Sequence, residues 1–151
     1  MVEHDYKNFP ELTDAQLAEI GFMSPHKQIT EGFDATVIKV HDGDTITLRT
    51  DFRDFDFPLR FDGIDSPELS QGGNDSRDWL KGQIEGEDVQ IQINPKNRVG
   101  KYGRLIGRVI SRGLDMSETA VRLGYAVPFG KKNEGQIPST EKQFSQKTWF
   151  K

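Results

Sequence analysis

Short segments that alternate apolar and polar residues, with turn-forming residues between them, constrain the fold of this chain most strongly. The segment ATVIKV at 35–40 runs through HDGD into TITLRT at 45–50. An Asp-Gly pair between two alternating segments is a strong turn signal. The sequence therefore predicts a β-hairpin at 35–50, and with it a domain built mainly from strands.

The same patterns predict three more strands and two helices. Strands are expected in FDFPLRFDGI, VQIQIN and RLIGRVIS, and the proline of the first places it at an edge or a bulge. One helix is expected near Asp75–Glu85 and another in DMSETAVRLG, where Asp115 is suited to cap the helix, while the tail STEKQFSQKTWF is weakly helical. Five short strands with a helix after the third predict an α+β, mainly β fold: a five-stranded OB-type barrel with about three helices.

Residues 1–34 are predicted to form an extension, and residues 35–151 the barrel domain. In ELTDAQLAEIGF, Thr13 and Gln16 fit a capping box, which predicts a short helix, and the polar segment MSPHKQITEGF is typical of a linker. The extension carries seven acids and two bases. Two hypotheses are open for it: it docks a protein partner, or it covers a basic face of the barrel until it is displaced.

Charge changes sign along the chain, whose net charge is −4. Residues 35–95 carry thirteen acids and six bases, whereas residues 96–151 carry four acids and twelve bases. Such asymmetry is more informative than the total. The middle block could hold a cation and the last block an anion, while solvated surface explains most individual charges.

Composition excludes several kinds of protein and site. With no cysteine, the chain forms no disulfide and no thiolate metal site. No apolar run approaches the roughly 18 residues of a membrane helix, so no membrane association is expected. The opening MVEHDYKNFPEL lacks the basic and apolar segments of a secretory signal, so no signal peptide is predicted and an intracellular, cytoplasmic location is expected.

Carboxylates are concentrated where the predicted strands end. Asp44 follows the hairpin turn, and Asp65 and Glu68 flank Ser66-Pro67 where the third strand ends. Gathered carboxylates repel one another unless a cation lies among them, and Ca²⁺ is held by carboxylate, carbonyl and water oxygens. Acids in Asp-Gly turns are also common without a metal, so these residues by themselves leave both interpretations open.

Two arginines accompany this acidic region. Arg60 lies in the same segment as Asp65 and Glu68, and Arg104 ends the turn sequence GKYGR just before a strand. A guanidinium group binds a phosphate with two parallel hydrogen bonds and keeps its charge at neutral pH. Arg60 is therefore either a phosphate ligand or the partner of the acids in a structural ion pair.

The motifs DGDT, RFDGIDSPE and KYGR and the helix end AVRLG occur in an order that resembles the staphylococcal nuclease (thermonuclease) family, over roughly residues 35–127. The resemblance implies a five-stranded OB barrel with three helices, and a calcium-dependent nuclease that cleaves DNA or RNA and leaves 3′-phosphate ends. It also implies a role for each matching residue: calcium ligation by Asp44, Asp65 and the backbone carbonyl of Ser66, activation of water by Glu68, phosphate contact by Arg60 and Arg104, and a substrate cleft lined by Lys101 and Tyr102.

Three positions depart from the family pattern. Ser66 stands where threonine is usual, and a serine still supplies the backbone carbonyl. Gly100 stands where a family member has an acid, and YAVPFGKK lacks the tyrosines that pack on the nucleotide there. In that stretch Phe129 is expected to stack on a base and Lys131 to follow the backbone of the strand. These departures concern nucleotide affinity and base preference rather than the hydrolytic centre.

The alternative function is a non-catalytic OB-fold module that binds nucleic acid or protein within a larger assembly, for example one of phage origin. Relatives of that kind lose acids or arginines from the site. This chain keeps all of them: Asp44, Arg60, Asp65, Glu68 and Arg104. We therefore favour the nuclease, with DNA or RNA as its partner. An unsecreted nuclease needs restraint, which low cytosolic Ca²⁺ would provide, and a phage or mobile-element origin would suit it.

Overall fold

The computed structural model describes Glu11 and residues 28–67, 73–100 and 103–128. These residues form strands and helices in the order β1 (Phe33–Asp42), β2 (Thr45–Arg49), β3 (Phe57–Phe61), β4 (Ile64–Asp65), α1 (Gly73–Ile84), β5 (Asp88–Gln92), β6 (Leu105–Ser111), β7 (Leu114–Asp115), α2 (Met116–Arg122) and β8 (Val127–Pro128).

Five of the strands close into a barrel. Antiparallel pairing runs in the order β3-β2-β1-β5-β6, and a parallel pairing of β3 with β6 joins the two ends. Closure satisfies the hydrogen-bonding groups that would otherwise be exposed at the two edges of the sheet. The predicted five-stranded OB-type barrel and the α+β, mainly β class are confirmed.

The predicted hairpin is formed by β1 and β2, with Asp42 paired to Thr45 at the turn. β1 begins at Phe33, two residues before the predicted start, because its first residues pair with β5. Two register shifts interrupt its pairing with β2, and the second lies between Val40 and Asp42. An irregularity of this kind re-aims the neighbouring side chains, and here it lies directly before the acidic turn.

Alternation along the strands sends one set of side chains into the barrel. In β6, every second residue is buried and the residues between them are half-buried. Burial of one large aliphatic side chain contributes about 1.5–3 kcal/mol, so these rows hold the barrel together. The core includes Val37, Ile46, Leu48, Leu59, Leu105 and Val109. Helix α1 packs against β1 and buries Leu80 and Ile84.

Both described helices lie where the sequence predicted them. α1 spans Gly73–Ile84, close to the predicted 75–85. α2 follows Asp115, whose carboxylate accepts hydrogen bonds from the backbone N–H groups of Ser117 (2.8 Å) and Glu118 (3.2 Å). The helix predicted in ELTDAQLAEIGF and the weakly helical tail lie outside the described residues. In the part of the chain that the structure describes, no helix has the length and apolar character needed to cross a membrane.

Candidate functional site

The turn between β1 and β2 is packed against two other parts of the chain. The backbone N–H of Ser66 donates a hydrogen bond of 2.9 Å to Oδ2 of Asp44, and the N–H of Phe61 donates one of 2.8 Å to the Asp44 carbonyl. A Cβ atom on Gly43 would lie 2.3 Å from Oγ of Ser76 and 2.7 Å from Cβ of Ser66. Glycine therefore lets the end of the hairpin approach both α1 and the segment after β4.

Arg60 joins the two predicted calcium ligands. Its Nη2 lies 2.5 Å from Oδ1 of Asp65, and its Nη1 lies 3.3 Å from Oδ2 of Asp44. Nη1 also donates hydrogen bonds to the carbonyls of Phe61 (3.1 Å) and Ile64 (2.9 Å). The structure thus brings three sequence-predicted residues into one cluster, in which Arg60 is the ion-pair partner of the acids. Its contact with phosphate stays a prediction.

The cluster is shielded but reachable from solvent. The side chains of Arg60, Asp44 and Asp65 are 17%, 11% and 13% exposed. Partial burial strengthens charge–charge interactions because the effective dielectric constant is lower than in water. A cation or an anionic ligand that reaches this cluster would therefore interact more strongly than on an open surface.

A further carboxylate, Asp42, lies beside Asp44 and was not assigned a role from the sequence. It accepts a hydrogen bond of 3.0 Å from the backbone N–H of Asp44. Burial, reinforced by the neighbouring Asp44 carboxylate, raises the pKa of Asp42 to about 7. The pKa of Asp44 is lowered, because Arg60 and hydrogen bonds from Asp42 and Ser66 outweigh the opposing effect of burial. Two acids flanking one glycine were the sequence signal for this pair.

Arg104 lies immediately before β6, the parallel neighbour of β3. Arg60 is in register with Ile106, so Arg104 directly precedes the strand that is paired with the strand of Arg60. The carbonyl of Arg104 accepts a hydrogen bond of 2.7 Å from the N–H of Gly100. Gly103 has a φ of 72°, which glycine adopts without steric cost. The hydrogen bond from Gly100 therefore fixes the backbone of Arg104.

The chain beyond α2 runs past the acidic cluster. In the two-stranded sheet of β4 and β8, Asp65 is paired with Val127. β8 ends at Pro128, and the predicted base-stacking residue Phe129 comes next in the sequence. Five predicted site residues lie outside the described residues and stay predictions: Glu68, Lys101, Tyr102, Phe129 and Lys131.

The donor atoms at this cluster fit a hard cation in kind. Ca²⁺ takes about six to eight oxygen ligands from carboxylates, carbonyls and water. Asp44 and Asp65 supply carboxylates; Ser66 follows Asp65 in the chain, and its N–H is hydrogen-bonded to Asp44. Among the described residues, no three acidic or histidine side chains lie close enough together to form a metal site by themselves. A calcium ion here would therefore also need oxygen ligands from water, the substrate or the backbone.

A closed five-stranded barrel with a cluster of carboxylates and arginine at the turns between its strands defines an OB-type domain with a candidate ion- and phosphate-binding site. The family model of the staphylococcal nuclease homologues matches residues 58–148, and the chain belongs to this family. The match includes Arg60, Asp65 and Arg104, whereas Asp44 precedes it in the β1–β2 turn. A comparison with curated proteins gives no match.

Proposed function

We propose that this protein is a calcium-dependent nuclease that hydrolyses phosphodiester bonds of DNA or RNA and leaves 3′-phosphate ends. The observation that carries the proposal is the contact of Arg60 with both Asp44 and Asp65. It puts a group suited to phosphate and two groups suited to a cation within one cluster. Membership of the staphylococcal nuclease homologue family supports the same chemistry.

The acids of the cluster would hold the cation. The lowered pKa of Asp44 keeps its carboxylate ionised at neutral pH, as a ligand must be. Asp65 and the backbone carbonyl of Ser66 would complete the protein's share of the ligands. When bound, Ca²⁺ supplies positive charge that polarises a phosphate oxygen.

Arg60 and Arg104 would stabilise the charge that develops during the reaction. As water attacks, negative charge accumulates on the phosphoryl oxygens, and guanidinium groups aimed at them bind that charge more tightly than in the ground state. Arg60 would turn from Asp44 and Asp65 to the phosphate once a bound cation neutralises these carboxylates. Hydrogen bonds from Nη1 to the carbonyls of Phe61 and Ile64 hold its guanidinium group at the cluster.

Glu68 would act as the general base. It takes a proton from the attacking water, a role worth typically ~10²–10⁴-fold in rate. The water oxygen forms a bond to phosphorus, the bond from phosphorus to the 5′ oxygen breaks, and the leaving oxygen receives a proton. The phosphate therefore stays on the 3′ oxygen of the upstream fragment, and the downstream fragment begins with a 5′ hydroxyl.

Basic and aromatic residues near the site would bind the strand. Residues 96–151 contain twelve bases and four acids, so this block can follow a phosphate backbone. Lys101 and Lys131 are the proposed phosphate contacts. Tyr102 and Phe129 offer faces on which bases stack, each worth about 1–3 kcal/mol.

A non-catalytic OB-fold module that binds nucleic acid or protein is the second candidate. One observation favours it: within the described residues, no three acidic or histidine side chains lie close enough together to form a metal site by themselves. In this case the barrel would bind a single strand or a protein partner without cleaving a phosphodiester bond.

Cleavage of single- and double-stranded DNA across a calcium titration, with and without EDTA, separates the two functions. The nuclease predicts calcium-dependent cleavage, 3′-phosphate and 5′-hydroxyl ends, and a loss of at least ~10²-fold in Glu68→Gln. Arg49→Ala is the control for surface charge, because Arg49 forms an exposed ion pair with Asp56 outside the cluster. Intact DNA and RNA at every calcium concentration, together with measurable binding of a single strand, would establish the binding module instead.

A further inference from the structure

Glu11, a residue of the N-terminal extension, places its carboxylate inside the barrel domain. Glu11 is 1% exposed. Its Oε1 lies 2.6 Å from Nη1 of Arg53, and its Oε2 lies 3.8 Å from Nη1 of Arg98. The backbone N–H of Ile29 donates a hydrogen bond of 3.2 Å to Oε2. A carboxylate is buried to this extent only where opposite charges and hydrogen bonds offset its desolvation, so Glu11 belongs to a specific buried cluster.

The two arginines of this cluster come from distant parts of the barrel domain. Arg53 lies between β2 and β3, with its guanidinium group 4.5 Å from the ring centroid of Phe57. Arg98 lies between β5 and β6, and its Nη1 also donates a hydrogen bond of 3.1 Å to the carbonyl of Ile29. Both arginine side chains are buried, at 1% and 5% exposure. Removing the Glu11 carboxylate would leave two buried cations without this counter-charge.

Glu11 also contacts the turn that carries Arg104. Its backbone N–H donates a hydrogen bond of 3.0 Å to the carbonyl of Gly103, the residue directly before Arg104. Arg98 and Gly103 both belong to the connection between β5 and β6. Glu11 therefore contacts this connection at two points, the side chain of Arg98 and the carbonyl of Gly103. Arg98 is also hydrogen-bonded to β6, because its carbonyl accepts a hydrogen bond of 2.9 Å from the N–H of Ile106.

We propose that Glu11 is a positioning residue for Arg104: the extension docks through the Glu11–Arg53–Arg98 cluster and fixes the turn that presents Arg104 to the substrate. The extension is then part of the working site rather than a cover for a basic face. This inference rests on the proposed function for its kinetic consequences, whereas the docking itself can be measured without nuclease activity. Loosening a cover would raise the nuclease activity, whereas loosening a positioning element would lower it.

The kinetic test compares Glu11→Gln in the full chain with the parent protein and with Glu31→Gln. Glu31 lies in the same extension and is exposed, so its variant makes the same change of charge outside the cluster. With single-stranded DNA and saturating calcium, Glu11→Gln should lower kcat by about 10–100-fold, because small displacements of a transition-state group are costly. KM should change by less than about twofold, since Arg104 acts mainly in the transition state. Unchanged or increased kcat in a folded Glu11→Gln protein would overturn the inference.

A double-mutant cycle distinguishes positioning of Arg104 from a general loss of structure. If Glu11 acts through Arg104, Glu11→Gln should cause no further loss of kcat in the Arg104→Ala background. Equal losses in the two backgrounds would mean that Glu11 supports the fold and not the arginine. The folded fraction of each variant, measured by urea unfolding, is used to correct the rates.

Hydrogen exchange of the parent protein keeps the inference testable if the variant does not fold. The amides of Ile29 and Ile106, which donate hydrogen bonds to Glu11 and to the Arg98 carbonyl, should become exposed together in one local opening. The amides of the β1–β2 hairpin should stay protected during this opening. Opening of Ile29 without Ile106 would contradict docking. If the parent cleaves no nucleic acid, the proposed function fails, and hydrogen exchange alone then decides whether the extension holds this turn.

Discussion

Nη2 of Arg60 and Oδ1 of Asp65 are 2.5 Å apart, although β3 and β4 are separated by a turn. The guanidinium group reaches across this turn and also approaches Asp44 at 3.3 Å. The residue expected to bind phosphate is therefore the counter-charge of the residues expected to bind calcium. Calcium and Arg60 therefore compete for the same carboxylates, and this competition can be measured.

Arg60→Ala is expected to lower turnover by about 10²–10³-fold and, in the absence of nucleic acid, to tighten calcium binding. Turnover falls because a preset donor to the developing charge is lost. Calcium binding tightens because Asp44 and Asp65 lose the cation that now neutralises them. Calorimetric titration with Ca²⁺ and single-turnover cleavage measure the two effects, with Arg49→Ala as the control. Weaker calcium binding in Arg60→Ala would show that the arginine organises these ligands instead of competing for them.

Asp42 predicts a specific pH dependence of stability in EDTA. Because the folded protein raises its pKa from 3.8 to about 7, its contribution favours folding most below pH 3.8, is lost as pH rises to 7, and is constant above that. The lowered pKa of Asp44 acts in a different window, since its contribution is present above pH 3.8 and is lost as pH falls below it. Between pH 4 and pH 7, any decline in the free energy of unfolding is therefore expected to come from Asp42 and not from Asp44.

Asp42→Asn tests this assignment because asparagine retains an oxygen for the N–H of Asp44. The difference in the free energy of unfolding, variant minus parent, should increase between pH 4 and pH 7. After allowance for screening by solvent, the increase should be about 1–2 kcal/mol. Urea unfolding at a series of pH values measures the difference. Asp78→Asn, at a side chain 64% exposed on α1, is the control and should show no such growth. A parallel pH profile for Asp42→Asn and the parent would refute the assignment.

Local signals in the sequence predicted much of this fold. The Asp-Gly turn, the alternation in RLIGRVIS and the capping position of Asp115 each depend on residues a few positions apart, and each is confirmed. The order of the site motifs indicated which residues to examine, and in the structure Arg60 contacts both Asp44 and Asp65. Their roles in catalysis stay predictions.

Contacts between distant segments could not be predicted in the same way. The hydrogen bond from the N–H of Ser66 to the carboxylate of Asp44 joins residues 22 positions apart, and local alternation does not encode such a contact. Glu11 belongs to a segment that the sequence predicted to be an extension. Its ion pair with Arg53 connects it to the segment between β2 and β3. One acid in an acidic extension is typical of solvated surface, and only the three-dimensional packing distinguishes Glu11 from its neighbours in sequence.

Calcium should stabilise the protein through Asp44. A ligand that binds only the folded state at 100 times its Kd raises the free energy of unfolding by about 2.7 kcal/mol. Asp44→Asn should remove most of this gain, because a carboxylate that its lowered pKa keeps ionised is lost. Calorimetry with and without Ca²⁺ measures the shift in Tm. Asp88→Asn, at an exposed acid that accepts a hydrogen bond from Thr36, is the control. If calcium raised the Tm of Asp44→Asn and of the parent equally, the metal site would not include Asp44.

Gly43→Ala should destabilise the protein and impair the site together, because its new methyl group has no room. The added Cβ would lie 2.3 Å from Oγ of Ser76 and 2.7 Å from Cβ of Ser66, so the hairpin end must move away from α1 or from the segment after β4. Overpacking of this kind costs about 1–3 kcal/mol. The hydrogen bond from Ser66 to Asp44 spans the same gap, so the displacement should also weaken calcium binding.

Gly82→Ala is the matched control for this substitution. Gly82 lies within α1, and no atom would lie within 4 Å of its added Cβ. Alanine at this position should stabilise the helix by about 0.5–1 kcal/mol, because glycine loses more backbone entropy on folding. Urea unfolding and calcium titration of both variants test the contrast. If Gly43→Ala were as stable as the parent and bound calcium equally well, the close approach at Gly43 would not be what positions Asp44.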